Sequence, residues 1–125
     1  MKLKILVVDD SGLARRLNRK LLEELEYEVE EACDGAQALE KYALGQHDFV
    51  LLDIVMHGMT GFDVLKKLRE LNPKLQIIMV TADIQKSTRE QVKEFGAAAI
   101  VNKPINKEQL AEALNLIKGG GNAWN

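Results

Sequence analysis

Phe49-Val50-Leu51-Leu52-Asp53-Ile54-Val55-Met56 is an almost unbroken apolar run with one carboxylate set in it. Its length and aliphatic, β-branched make-up predict a strand covered on both faces, the interior strand of a parallel sheet. An unpaired carboxylate buried in such a strand is costly. Asp53 is therefore expected at the solvent-facing end of the strand, among partners supplied by other segments.

Three other apolar runs also end in polar residues. Leu3 to Val8 ends in Asp9-Asp10-Ser11-Gly12, Leu75 to Val80 in Thr81-Ala82-Asp83, and Ala97 to Val101 in Asn102-Lys103-Pro104. Tyr27 to Ala32 alternates only partly, as a strand with one wet face does at a sheet edge. Helical spacing fills the gaps between the strands. Ala14, Leu17, Leu21 and Leu25 make a first buried stripe. Asp34 and Gln37 form a capping box ahead of Ala38, Leu39, Tyr42 and Ala43, a helix that Gly45 ends. Phe62, Leu65, Leu68 and Leu71 make a third helix, stopped by Pro73. Ser87-Thr88-Arg89-Glu90 is expected to cap a fourth, unusually polar helix that offers only Val92 and Phe95 to a core and closes at Gly96. Asn106 caps a last helix carrying Leu110, Ala113, Leu114 and Ile117. Strand and helix thus alternate five times. The expected class is α/β, a doubly wound, flavodoxin-like five-stranded parallel sheet in the order 2-1-3-4-5 with five helices, the least apolar strands at the edges. It should occupy residues 1–118, with 119–125 a flexible glycine-rich tail that carries Trp124.

The chain has 125 residues, enough for one domain with one core, and is 46% hydrophobic and 29% charged. Nineteen acidic against seventeen basic residues give a formal charge of −2, with no basic cluster of the kind a nucleic-acid binder shows. No nucleic-acid partner and no membrane insertion are expected, since no apolar run approaches the roughly 18 residues of a span. The single Cys33 cannot form an internal disulfide, and the N-terminus enters a strand without a targeting segment, so a cytoplasmic protein is expected. His47 and His57 lack paired ligand spacing and are expected at the surface. Met56, Met59 and Met79 are expected to fill the core.

Ligands of such sheets bind beyond the carboxyl ends of the strands, near the point where strand order reverses. Asp9, Asp10, Asp53, Thr81 and Lys103 all fall at those ends. Three carboxylates so close together repel unless a cation joins them, and a hard divalent ion such as Mg2+ accepts carboxylates plus a backbone carbonyl, for which Val55 is placed. With a mobile ammonium from Lys103 and a hydroxyl from Thr81, this is equipment for phosphoryl transfer, and Asp53 is best placed to be the nucleophile.

On Asp9-Asp10, the segment from Asp53 to Gly61, Thr81-Ala82 and Lys103-Pro104, the chain resembles a response-regulator receiver domain of the CheY-like family over residues 3–118. The resemblance implies that Asp53 accepts a phosphoryl group from a histidine kinase. It also implies that Asp9 or Asp10, with Asp53 and the Val55 carbonyl, holds Mg2+, that Thr81 and Lys103 contact the phosphate, and that Lys103-Pro104 is cis. It further implies a monomeric, stand-alone phosphoacceptor with self-limited autodephosphorylation rather than a conventional enzyme. Such a receiver signals to a protein target through the fourth helix, fifth strand and fifth helix, with chemotaxis the preferred setting and a phosphorelay next. A Mg2+-dependent phosphatase or phosphotransferase using the same aspartate, and a non-phosphorylated scaffold, are the other readings. His57 stands where the family commonly has proline, Thr60 where it has aspartate and Ile100 where it has Tyr or Phe. Coupling is therefore expected to run through the fourth helix. Val55 and Asp83 are expected to tune the phosphoryl lifetime through water access.

Overall fold

A computed structural model describes residues 2–82 and 84–124. The expectation that Asp83 tunes the phosphoryl lifetime falls outside these residues. The described elements are β1 (Lys4–Val8), α1 (Gly12–Glu24), β2 (Glu28–Ala32), α2 (Gly35–Gly45), β3 (Phe49–Asp53), α3 (Gly61–Leu71), β4 (Gln76–Thr81), α4 (Lys86–Glu94), β5 (Ala99–Asn102) and α5 (Lys107–Ile117). The strands pair in parallel in the order β2-β1-β3-β4-β5, as the distribution of apolar residues predicts.

Because side chains alternate across a strand, each strand feeds two cores. Leu6, Val8, Val50, Leu52, Ile77 and Met79 pack with residues of α2, α3 and α4, among them Tyr42, Leu65, Leu68 and Val92. Ile5, Val7, Leu51, Ile78 and Val80 pack with Leu22 of α1 and with Leu110, Leu114 and Ile117 of α5. All five residues of β3 are buried, Asp53 included. None of the described helices is long and apolar enough to cross a membrane.

Three local expectations are corrected. On α1 the buried residues are Asn18 and Leu22, while Leu17 is 55% and Leu13 62% exposed. The inward arc is turned away from the most apolar stripe, because polar Asn18 lies beneath the helix where periodicity alone would not put it. On α4 the helix begins at Lys86, ahead of Ser87, and its N-cap Gln85 makes no side-chain capping hydrogen bond. His47 is buried rather than at the surface: its Nε2 lies 2.7 Å from Glu30 Oε1 and its ring lies beside Tyr42. Gly45 makes the room, since a Cβ there would come within 2.8 Å of His47 Cε1.

Elsewhere the local chemistry acts as expected. The Asp34 side chain accepts from the Gln37 N–H, although Gln37 reaches back to the Cys33 N–H, one residue before the cap. Thr60 and Asp63 form a reciprocal capping box at the start of α3. Met56 and Met79 are buried and Met59 packs against the core. Where a flexible tail is expected over residues 119–125, its described part makes defined contacts: Gln76 Nε2 donates to the carbonyls of Ile117 and Gly121, and the Ala123 N–H donates to the Ala98 carbonyl.

The approach of α3 to β3 depends on Gly61, whose N–H donates to the Ile54 carbonyl at 2.8 Å. A Cβ on Gly61 would lie 2.3 Å from the Asp53 carbonyl oxygen and 2.7 Å from Ile54 Cα, both backbone atoms. Gly61→Ala is expected to destabilise the fold by roughly 3 kcal/mol, read as a lower urea midpoint with an unchanged slope.

Candidate functional site

Register and chain entry bring the polar strand ends together. Asp53, the last residue of β3, pairs across the sheet with Val80, one residue before Thr81, and the Lys103 N–H donates to the Thr81 carbonyl at 2.7 Å. Asp9 follows β1 directly, and its Oδ1 accepts from the Ser11 N–H at 2.9 Å, so the turn into α1 fixes the carboxylate. Arg15 of α1 donates through Nη1 to the Asp9 carbonyl at 2.6 Å, tying the first turn of that helix to the same corner. Asp9, Asp53 and Thr81 are buried.

Lys103 joins the charges. Its Nζ lies 2.9 Å from Asp53 Oδ2 and 2.9 Å from Asp9 Oδ2, one ammonium bridging two buried carboxylates. Burial pulls the Lys103 pKa down, but its hydrogen bonds to Asp9 and Asp53 outweigh this and raise it overall. The Asp53 carboxyl is pushed above its ordinary range, first by burial and then by the nearby Asp9 charge, against the opposing pull of Lys103. The Lys103-Pro104 bond that follows is cis, as the resemblance implies.

Carboxylate oxygens of Asp9, Asp10 and Asp53 lie within 4.8 Å of one another. Such an all-oxygen, acidic donor set fits a hard divalent cation like Mg2+. Val55 sits in the loop after β3, 75% exposed, and its N–H donates to Asp53 Oδ1 at 3.4 Å. Every candidate residue thus lies at or beside the carboxyl edge of the sheet, with Lys103 in direct contact with two of the acids.

His57 adds a contact that ligand spacing did not reveal. Its N–H donates to Asp10 Oδ2 at 3.0 Å, and its Nδ1 lies 2.7 Å from the same oxygen. Asp10 is held below the usual carboxylate range, chiefly by that backbone hydrogen bond. Its place four residues beyond Asp53, in the loop over the crevice, was the available signal.

The sequence pattern of the family described as the response regulator receiver domain matches residues 5–115. The chain is 32% identical to the chemotaxis protein CheY of Thermotoga maritima, covering 91% of this chain and 96% of that protein. It is also 38% identical to part of the sensor protein EvgS of Escherichia coli K12, where 91% of this chain spans only 10% of the relative's length. Among solved structures, the chemotaxis protein CheY4 of Vibrio cholerae superposes with a TM-score of 0.88 at 33% identity, over 92% of this chain and 98% of that one.

The raised Asp53 pKa has a signed consequence. Between the unfolded value and the higher folded one the native state binds the extra proton, so this group's contribution to stability falls as pH rises through the folded pKa. Asp53→Asn removes the buried charge. It is expected to raise the melting temperature at neutral pH by a few degrees, as about 1 kcal/mol does in a domain of this size, and the gain should shrink as the buffer is acidified. Calorimetry of both proteins across that range checks it.

Proposed function

We propose, since the chain belongs to the response regulator receiver-domain family, that Asp53 accepts a phosphoryl group from the phosphohistidine of a histidine kinase and that the altered surface then binds a protein target. The observation that carries this is the Lys103 ammonium, 2.9 Å from both Asp9 and Asp53. It sits where the charge of a phosphoryl group on Asp53 would need a partner.

In the transfer, a carboxylate oxygen of Asp53 attacks phosphorus. The P–N bond of the donor breaks, its electron pair stays on the imidazole nitrogen, and an acyl phosphate forms. Lys103 turns its ammonium toward the arriving phosphoryl oxygens, and the Thr81 hydroxyl is placed to donate to one of them. Asp9 or Asp10, with Asp53 and the Val55 carbonyl, would hold Mg2+, which when bound neutralises charge on the phosphoryl group. Next to Lys103 a cleft of about 390 Å³ is lined by Ala14, Leu17, Pro104 and Ile105. The outward Leu17 of α1, with Pro104 and Ile105, makes this mouth apolar, a surface suited to the helix that carries the donor histidine.

The proposed output face is α4, β5 and α5. Ile100 is half-buried there and lines a cleft with Ile84, Arg89, Glu112 and Leu116. The proposed setting is a cytoplasmic monomer. The near full-length likeness to CheY supports chemotaxis, and the likeness to a tenth of EvgS supports a relay role as the second reading.

Incubation with Mg2+ and a small acyl phosphate is expected to add one phosphoryl mass to the wild type and none to Asp53→Asn. Lys103→Ala should slow labelling roughly 100-fold, and chelation of Mg2+ should abolish it. Sustained turnover of varied phosphate esters would instead indicate an enzyme, and no adduct would indicate a scaffold. Val55 lies two residues after Asp53, exposed and with its N–H on the Asp53 carboxylate, so replacing it with Lys should change the decay of the adduct by roughly threefold or more; an unchanged decay would remove it from the control of water access.

A further inference from the structure

The segment after α5 makes a set of contacts that phosphoryl transfer does not use. A short 3₁₀ turn, Lys118–Gly120, reverses the chain through Gly119 and Gly120, both at positive φ. The Gln76 amide then holds the carbonyls on either side of the turn, at Ile117 and Gly121. From there the Ala123 N–H donates to the Ala98 carbonyl and Trp124 Nε1 donates to the Ala97 carbonyl, each at 2.9 Å. Ala97 and Ala98 are the last two of the four residues between α4 and β5. The tail therefore grips the connection between those two elements.

Trp124 also reaches α4 itself. The Arg89 guanidinium lies 5.0 Å from the centre of the indole ring, within cation–π range, and the ring packs on the core cluster that contains Val92 and Ala97. α4 itself is lightly packed: Val92 is its one buried residue, its N-cap Gln85 makes no side-chain capping hydrogen bond, and Phe95, which ends it, meets Phe62 edge to face at 5.6 Å. The helix follows β4, whose last residue is Thr81, so its N-terminal end is close in sequence to the acceptor site.

We propose that Gly121–Trp124 is an intramolecular clamp that holds α4 against the start of β5, and that a phosphoryl group on Asp53 loosens it. The trigger, though not the clamp, rests on the phosphoacceptor reading. Coupling between two sites is reciprocal. If the indole favours the resting position of α4, phosphorylation that disfavours this position must weaken the indole's hold by the same factor. Removing the indole must in turn make the phosphorylated arrangement easier to reach. With Ile100 in place of an aromatic, Trp124 is a large ring packed on the same core cluster as Ile100, beside Phe95, which packs on Phe62.

Trp124 is the chain's single tryptophan, so its emission reports the clamp without labelling. In the full chain, Trp124→Ala is expected to speed amide exchange across Lys86–Glu94 about tenfold while β1 and β3 stay as protected as before. Arg89→Ala should leave the fold intact and expose the indole to acrylamide quenching about twofold more. With the Asp53 adduct confirmed by intact mass, the emission should shift to the red and quenching should rise. Trp124→Ala should also accept phosphate from a small acyl phosphate about threefold faster. Unchanged α4 exchange in Trp124→Ala together with unchanged quenching in Arg89→Ala would overturn the clamp. An adduct that leaves the emission unmoved would overturn the trigger. If no adduct forms, the phosphoacceptor reading fails, while the exchange and Arg89 measurements still decide the clamp.

Discussion

One ammonium makes the carboxyl edge of this sheet tolerable. Asp9 and Asp53 are both buried, and Lys103 stands 2.9 Å from each, reaching across from beyond β5. Truncating Lys103 would leave two buried carboxylates uncompensated, the strongly destabilising way to break such a cluster. The parallel order β2-β1-β3-β4-β5 is what allows the contact, because it delivers every strand's last residue to the same edge. The bridge does not neutralise the cluster: two carboxylates share one cation, and Asp10 stands close by, held by His57. A surplus of negative charge held close together is a poor foundation for stability and a good one for capturing a divalent ion.

Much of this was legible in the chain. Apolar runs that stop abruptly at Asp9, Asp53, Thr81 and Lys103 specify both the strands and the edge at which their ends meet, since a charge cannot remain inside a doubly covered strand. Edge positions for β2 and β5 followed from their weaker hydrophobicity. Less readable was anything decided by the rotation of an element about its own axis. Two overlapping stripes on α1 differ by one residue step, and the one that faces inward contains Asn18. Apolar periodicity favours Leu17, whereas packing against the sheet favours Leu22. His47 was hidden for a related reason. Its burial depends on a missing Cβ at Gly45 and on Glu30 from another strand, a pairing distant in sequence.

His57 shows how a departure from a family pattern can carry its own contact. Proline at that position could not donate through its backbone nitrogen. Here the N–H and the imidazole both meet Asp10 Oδ2, so the loop after β3 is fastened to the loop after β1 across the mouth of the crevice. Asp10 is thereby held in place within the acidic cluster. The fastening also lies in the loop that leads from Asp53 to Gly61, where backbone atoms approach too closely for any side chain. The β3 side of the site is therefore stiff, with a tight glycine contact, a reciprocal cap at Thr60 and Asp63, and a tether to β1.

Stiffness on that side determines where a chemical change at Asp53 can be relieved. A phosphoryl group enlarges the acceptor and adds negative charge, and the surrounding groups must rearrange to meet it. The β3 backbone is boxed in by Gly61, and β1 is fastened through Asp9 to Ser11 and Arg15. On the other side, Thr81 and Lys103 stand at the ends of two strands that share α4 as a neighbour, and α4 buries a single side chain. Displacement travels toward the element with the least packing to lose. With Ile100 at the fifth-strand position there is no ring there to swing, so under the phosphoacceptor proposal the response falls to the helix itself, against whatever holds it from outside. In this chain, the outside hold is a tryptophan stacked on Arg89 and hydrogen-bonded at the start of the neighbouring strand.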